Sequence, residues 1–406
     1  MRVAFFSHYS GLYGANTSLL SLTQGLRPRG VDPLVFLPKK GSVEHKLRQN
    51  NTAYRISAYS TWLSKRWSFK NVVRKALGNL VLSGRLAKNL QSLGISLVHS
   101  NSSVTNFGAL VASRLKVPHV WHVREFGDMD YGLRPEWGKR LFMRSLVRAD
   151  AVVFISETLK QHFCKSNRHA NAHVISNPIA SREEFARRRG ESIERLAAKP
   201  SGTPFTFILV GLIQPQKGQE IAIRAFHRAQ AMNPNLRLWL VGSGSEPYLQ
   251  HCQAVARELG VLSKVVFWGY TDNPNQLYCE ADCGLMCSQS EAFGRVTAES
   301  MSFCLPVIGF RGGATPELIK PEETGLLYSG AEDELTACML KMATTPNWAR
   351  ELGEKAFLFV SERFTLEAHT EAVFALYSQV MATSSLQPHG QRAGQSKAVC
   401  SRLDVR

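Results

Sequence analysis

The chain reads as an α/β protein built from two doubly wound parallel sheets. Short β-branched or aromatic runs alternate with amphipathic segments along most of its 406 residues, the pattern of parallel strands joined by crossover helices. That length, at 44% hydrophobic content, suffices for two domains that each bury a core. A charged stretch without a strand, SREEFARRRGESIERLAAKPSGTP from Ser181, separates two sets of six strands.

In the first half the strands fall at Val3–Ser7, Pro33–Leu37, Ser96–Ser100, His119–Trp121, Ala151–Phe154 and His173–Ile175. In the second they fall at Phe205–Val210, Leu236–Val241, Val265–Trp268, Cys283–Met286, Pro306–Gly309 and Gly325–Tyr328. Near-continuous apolar runs of this kind belong to strands covered on both faces. The organisation is then a first domain over 1–185, a linker over 186–203 and a second domain over 204–364. TLEAHTEAVFALYSQVM after Phe364 has apolar residues at helical spacing and reads as a helix over 365–383. Residues 384–406 are polar and aperiodic, the composition of a disordered tail.

No run of about twenty apolar residues spans a membrane, and the opening MRVAFFSHYSG is too short in its apolar part for a signal peptide. A cytoplasmic location is expected, with the eight cysteines reduced. Cys279, Cys283 and Cys287 recur every four residues without a histidine cluster, which favours buried small side chains over a metal site.

Charge is uneven. Residues 1–200 hold 32 Lys and Arg against 12 Asp and Glu, while residues 201–406 hold 17 against 20. From His45 to Arg124 there is no acid and there are 13 basic residues, interleaved with Trp62, Trp67 and Phe69. Basic residues beside aromatics suit an anionic membrane surface. Nucleic acid attracts the same charge, and a solvated helix face shows it without function; a peripheral position at the inner membrane face is the expectation, with no nucleic-acid partner.

The most informative segment is SEAFGRVTAESMSFCLPVIGFRGGATPELI, Ser290 to Ile319. It places Glu291 and Glu299 on either side of a helix start near Phe293 and Gly294. The N–H groups of Phe293, Gly294 and Arg295 would then be unpaired donors at the positive end of a helix, a cradle for a diphosphate. Glu299 lies five residues beyond Gly294, about 7–8 Å along the axis, so the two acids serve separate groups of hydroxyls. Upstream, TFILVGLIQPQKGQEIAIRAF reads as strand, loop and helix, with Gly211 at the turn and Lys217 before Gly218, where a lysine reaches a phosphate as a point charge.

A Glu, seven residues, a second Glu, a small-residue helix, a strand and a Gly-Gly turn, in that order, resemble the donor site of glycosyltransferase family four, the large retaining group with the GT-B fold. The resemblance is strong from Gly211 to Ile319 and loose in the first half. It implies two Rossmann-like domains facing a central cleft, the first binding acceptor and the second a nucleotide sugar, with the final helix returning to the first domain. In the family the first Glu touches the donor sugar's hydroxyls and the second holds the ribose, which carries over to Glu291 and Glu299. Family members place an Arg directly after the first Gly and a Lys before the last, both on the diphosphate. Here Leu212 stands at the Arg position and Lys217 is retained, so either Arg295 or another base substitutes, or the diphosphate is held less tightly and rate suffers. Gly11 and Gly14, between a strand and a helix that Asn16 or Thr17 could cap, are similar to the family's first phosphate-facing loop.

WHVREFG puts His122, Arg124 and Glu125 in a loop after His119–Trp121. By resemblance, His122 contacts a donor hydroxyl or orients the acceptor, and Arg124 neutralises acceptor phosphate. His99 and Asn101 are lesser candidates on a neighbouring strand end. Tyr270, in WGYTDN, stands where relatives hold the nucleobase.

The implied reaction is transfer of a sugar from a nucleotide-sugar donor to a glycan or lipid-linked acceptor with retained configuration, with surface polysaccharide synthesis as the expected setting. It needs no cofactor and no metal, since no Asp-x-Asp-type cluster stands where a metal-dependent transferase requires one. Two other readings stay open: a nucleotide-sugar epimerase of the same fold, and a noncatalytic membrane-associated scaffold, which the loss at Leu212 favours.

Overall fold

The computed structural model describes residues 1–164 and 171–386, and the chain divides into two compact units. The first comprises 1–176 with the segment from 367 onward, the second 177–366.

The first unit holds β1 (Arg2–Phe6), β2 (Asp32–Leu37), β3 (Ala53–Ile56), β4 (Leu63–Ser64), β5 (Ile95–Ser100), β6 (His119–Val123), β7 (Arg134–Pro135), β8 (Ala151–Phe154) and β9 (Ala172–Val174). Seven of them form a parallel sheet in the order β3-β2-β1-β5-β6-β8-β9. β4 and β7 pair separately as a short antiparallel ladder, Leu63 opposite Pro135. Alternation along β1 explains the layering: Val3 and Phe5 enter one core with Leu19, Leu22 and Leu26, whereas Ala4 and Phe6 enter another with Leu86, Leu90 and Phe107. Both faces are thus covered, each buried Phe contributing about 1.5–3 kcal/mol. Val373, Leu376, Tyr377 and Val380 of the final helix, Leu366–Leu386, complete the first of these cores.

In the second unit β10 (Phe205–Val210), β11 (Leu236–Val241), β12 (Val265–Gly269), β13 (Cys283–Met286), β14 (Val307–Phe310) and β15 (Gly325–Tyr328) form a parallel sheet in the order β12-β11-β10-β13-β14-β15. Phe207 and Leu209 of β10 face one core and Ile208 the other. Strand order reverses between β1 and β5 in one sheet and between β10 and β13 in the other. The crevice at the carboxyl ends flanking such a reversal is where open α/β sheets bind ligands.

The sequence reading did not anticipate β3, β4 or β7, whose exposed or very short stretches lack an alternation signal. A second difference concerns the connector. Residues 186–203, read as a linker, lie mostly in a helix, Arg182–Ala198, that belongs to the second unit. Its charges pair along the helix, Arg187 and Arg188 with Glu184 at 2.7 and 2.9 Å. Ser181 Oγ caps it by accepting from Glu184 N–H at 3.1 Å, and Phe185 packs on Phe357. The helix Leu366–Leu386 starts one residue after the expected 365 and runs on through 384–386, which the sequence assigned to a disordered tail; the tail residues 387–406 lie outside the described residues. Among the described residues no helix is long and apolar enough to cross a membrane.

Candidate active site

The second unit brings three loops together at its strand-order reversal. After β10 the chain runs from Gly211 through the one-turn helix Pro215–Lys217 to Gly218, which opens the helix Gln219–Met232. Gly218 has φ +74°, and a Cβ there would stand 2.6 Å from the carbonyl oxygen of Cys287, just beyond β13. Only glycine permits that approach. The approach sets Lys217 Nζ against Glu291 Oε1; the lysine side chain is 30% exposed and the glutamate 14%. From the other side, the turn after β14 clamps Glu291 by its backbone. Ala314 N–H donates to Glu291 O at 2.8 Å, and Gly313, φ +55°, leaves no room for a Cβ, which would meet that oxygen at 2.5 Å. Gln219, fully buried, fixes the loop after β10 by donating from Nε2 to Leu212 O at 2.9 Å. Nothing in the sequence singled out Gln219, a polar residue whose value lies only in what it reaches.

The helix following Glu291 starts later than expected. It spans Arg295–Met301, with Gly294 as a left-handed cap at φ +88° whose carbonyl accepts from Thr297 and Ala298 at 3.0 and 3.2 Å. Phe293 therefore precedes the helix, its ring buried edge-on against Phe364 at 5.3 Å, so only its backbone could serve a ligand. Arg295, considered as a substitute diphosphate base, is already engaged: Nε contacts Glu299 Oε1 at 2.8 Å and Nη1 donates to Pro178 O at 3.1 Å. Glu299 is thereby held one helical turn from Arg295 rather than beside Glu291. Leu212 is exposed, and so is Tyr270, which follows β12, the outermost strand of this sheet.

In the first unit the loop after β1 is shaped by Asn16. Neither Asn16 nor Thr17 caps the helix Gly14–Leu26, whose cap is Tyr13 without a side-chain bond. Instead Asn16 is buried and donates to Tyr9 O and Gly11 O at 3.1 and 2.8 Å while accepting from Ser7 Oγ at 2.7 Å. Asn101, after β5, donates to Ala15 O at 3.0 Å, so Gly14 opens a helix whose first turn is fastened to two strand ends.

His122 does not lie in a loop. β6 continues to Val123, because Trp121, His122 and Val123 pair with Val152, Val153 and Phe154 of β8, and His122 is fully buried. Arg124 is the hub of a polar core: its Nε donates to Asn101 Oδ1 at 2.9 Å, and its Nη2 lies 3.2 Å from His122 Nδ1. A guanidinium can only donate, so Nδ1 accepts and the proton of neutral His122 sits on Nε2. His99 and His369 flank His122, ring centroids 5.3 and 6.1 Å away. Tyr377 Oη meets His99 Nδ1 at 2.7 Å, and His369 Nδ1 donates to Ser176 O at 2.7 Å. Burial first, and then the Arg124 charge, hold His99 and His122 well below the usual imidazole range and push His369 down to about 3. Glu125 moves the other way, to about 7, because it is buried, although Ser102 Oγ, Ser103 N–H and Ser103 Oγ all donate to its Oε1. His369 gave no signal in the sequence beyond its helical position.

One Asp-x-Asp sequence does occur, Asp128-Met129-Asp130, in the turn after β6. Asp130 is spent on the backbone there, accepting from Phe126 and Gly127 N–H at 2.9 and 2.8 Å. Among the described residues no group of three or more His, Cys, Asp or Glu could hold a metal ion. Cys283 and Cys287 are buried around β13, where burial pushes the Cys287 thiol up to about 12.

Two family descriptions match, in the same order as the two units: Glycosyltransferase Family 4 over residues 13–182 and Glycosyl transferases group 1 over residues 192–358. The chain is 31% identical over 185 residues to the D-inositol 3-phosphate glycosyltransferase of Segniliparus rotundus, a match that takes in 44% of this chain and 41% of that protein. Here and against the homologous enzyme of Acidothermus cellulolyticus, the chain spans less than half the length of the relative it matches. The alpha-monoglucosyldiacylglycerol synthase of Streptococcus pneumoniae is 24% identical over 396 residues, 93% of this chain and 87% of that one. Among solved structures, Anabaena HepE in complex with UDP superposes with a TM-score of 0.76 at 21% identity, covering 93% of this chain and all of HepE. Sucrose-phosphate synthase of Thermosynechococcus elongatus superposes at 0.73. These likenesses show the GT-B arrangement of two Rossmann-like folds.

Proposed function

The chain belongs to glycosyltransferase family four, and we propose that it moves a sugar from a nucleotide-sugar donor to a glycan or lipid-linked acceptor with retention of anomeric configuration and without a metal ion. The observation that carries this reading is the meeting of Lys217 and Glu291, one basic and one acidic side chain brought from two loops onto the reversal point of the second sheet. An ammonium there suits the diphosphate, whose charge grows as the sugar departs. A carboxylate beside it suits the sugar's hydroxyls and the positive charge that develops on the ring. The ion pair keeps each group oriented in the absence of donor, and phosphate oxygens replace the carboxylate on Lys217 when donor arrives.

Glu299 takes the ribose and the backbone of Phe293, Gly294 and Arg295 the phosphates. Because Arg295 is tied to Glu299 and Pro178 O, it acts by fixing Glu299 rather than as the missing clamp. Gly211 gives the loop its turn, Tyr270 lies near the base, and Gly14 opens the first unit's phosphate-facing helix. Retention follows from an acceptor hydroxyl that attacks from the face the nucleotide leaves, while the departing phosphate oxygen accepts its proton, so no protein base is required. Arg124 and His122, buried and bonded to each other, position the loops after β5 and β6 that receive the acceptor. We place the enzyme in the cytoplasm at the inner membrane face, extending a surface polysaccharide.

A screen of nucleotide sugars by thermal shift identifies the donor, since a ligand present at 100 times its Kd raises stability by about 2.7 kcal/mol. Product analysis with that donor and isolated lipid-linked glycans then tests transfer. Release of nucleotide and an α-linked product from an α-linked donor support the reading. An epimerised sugar from donor alone, or no nucleotide binding at all, refutes it; the latter is what the exposed Leu212 would mean if the chain were a scaffold.

A further inference from the structure

The longest described helix of the first unit, Phe69–Gln91, buries one face and carries apolar side chains among basic ones on the other. Val72, Asn79, Ser83, Leu86 and Leu90 face inward. Phe69, Leu77, Leu80 and Val81 are 66, 58, 43 and 55% exposed. At about 100° per residue these four and the half-buried Val73 fall within one arc of about 120°. Lys70 and Lys88 fall inside that arc, between Leu77 and Val81, and Arg74 and Arg85 lie about 20–40° beyond its edge. A helix whose outer face merely meets water has no reason to place Phe, Leu and Val there.

The surface continues past the helix start. Trp67, 64% exposed, donates its indole N–H to Glu136 O at 3.0 Å, which fixes the ring to the β4–β7 ladder. Lys75 Nζ meets the Glu136 carboxylate at 2.5 Å, which neutralises that buried acid. Beyond Glu136 stand exposed Trp137 and Leu141 together with Lys139 and Arg140. Exposed apolar side chains, two indoles and several Lys and Arg therefore share one surface, in a region whose sequence has no acid between His45 and Arg124.

We propose that this face docks on an anionic phospholipid bilayer, with Trp67, Phe69, Leu77 and Val81 entering the boundary between headgroups and acyl chains and the neighbouring Lys and Arg meeting lipid phosphates. Charge complementarity selects an anionic partner. The aliphatic members decide which one: Leu77, Leu80 and Val81 gain nothing from a nucleic-acid backbone or base stack, but they leave water when the helix lies in a membrane interface. The docking is shallow insertion and not charge attraction alone, so part of it survives salt, which screens the charges but not the apolar burial. The inference deepens the membrane-face location proposed above by naming the surface and the lipid class, and it stands whether or not the donor reading holds.

The test is sedimentation of the full chain with vesicles of phosphatidylcholine alone or mixed with phosphatidylglycerol, at low and high salt. The protein is expected to bind the mixed vesicles and to retain a measurable fraction at high salt. Phe69→Ser, Leu77→Ser and Val81→Ser combined alter only exposed side chains, and unchanged thermal unfolding verifies that the fold is spared. That variant is expected to bind at least about tenfold more weakly and to release completely in salt. Lys70→Ser, Arg74→Ser, Arg85→Ser and Lys88→Ser combined are expected to abolish the preference for phosphatidylglycerol. Failure of the unaltered protein to sediment with mixed vesicles at low salt overturns the proposal. So does a triple serine variant that binds as well as the parent, a duplex oligonucleotide bound more tightly than the vesicles, or a dimer of the unaltered protein that the triple variant dissolves without any vesicle binding.

Discussion

Lys217 and Glu291 stand 74 residues apart in the chain and bond to each other. Both are partly open to water, and an ion pair in that setting contributes at most about 1 kcal/mol to folding. Its value lies in positioning two opposite charges that a donor would separate.

Removing either partner should therefore spare the fold and harm the chemistry in different ways. Lys217→Ala is expected to weaken binding of the nucleoside diphosphate itself by about tenfold or more and to lower kcat/KM by about 10²–10³. Glu291→Gln should bind the free nucleoside diphosphate nearly as well as the parent and lose transfer. Calorimetric titration beside initial rates separates the two; equal activity in Glu291→Gln would remove its assigned role.

Gly218→Ala tests the close approach that creates the pair. Its φ of +74° and a Cβ 2.6 Å from Cys287 O should cost about 1–2 kcal/mol for the left-handed backbone alone, with more for the displaced loop. A lower denaturation midpoint together with weaker nucleotide binding is expected.

Leu212→Arg returns a guanidinium to the position where the family carries one. Leu212 is 43% exposed, so the longer side chain has space. One charge-assisted bond to phosphate is worth about 1.5–3 kcal/mol, and a gain in nucleoside diphosphate affinity of about tenfold is expected by calorimetry. No gain would mean that the loop after β10 does not face the diphosphate.

Acid should destabilise the protein well before its carboxylates are neutral. His119 and His369 are depressed by burial to about 3 from 6.5, and His99 and His122 shift the same way. Such groups bind protons in the unfolded chain first, so their stabilisation, complete above pH 6.5, is lost as pH falls toward 3, by about 1.4 kcal/mol per pH unit for each. Glu125, raised to about 7 from 4.5, acts oppositely: its contribution is fully present below pH 4.5 and is lost as pH rises through 7. Glu125→Gln should therefore steepen the acid loss between about pH 7 and 4.5 by about 1.4 kcal/mol per unit. Denaturant unfolding across that range measures both slopes.

Much of this protein is legible in its sequence. Twelve strands lie within a residue or two of the apolar runs that predict them, because strands covered on both faces must be apolar throughout. Lys217, Glu291 and the Gly-Gly turn at Gly312 and Gly313 were visible because a backbone that passes close to another leaves glycine behind. The short or exposed strands β3, β4 and β7 were not, since they bury too little to leave a pattern. Arg182–Ala198 reads as a connector because what holds it is mostly polar: ion pairs along the helix, ion pairs and hydrogen bonds from Arg188, Arg189, Ser192 and Arg195 to the rest of the second unit, and one buried Phe.

Local composition fixed the two α/β sheets, the order of their elements, and the residue types gathered at the second sheet's reversal, all of which follow from the periodicity that burial imposes on neighbouring residues. Only the tertiary structure decided that Lys217 faces Glu291, that Arg295 is consumed by Glu299 and Pro178 O, and that His122 lies inside a strand between His99 and His369. Apart from the one-turn pair Arg295–Glu299, those relationships join residues tens to hundreds of positions apart, where the deciding terms are hydrogen-bond geometry and the desolvation of charge, and neither leaves a period in the sequence.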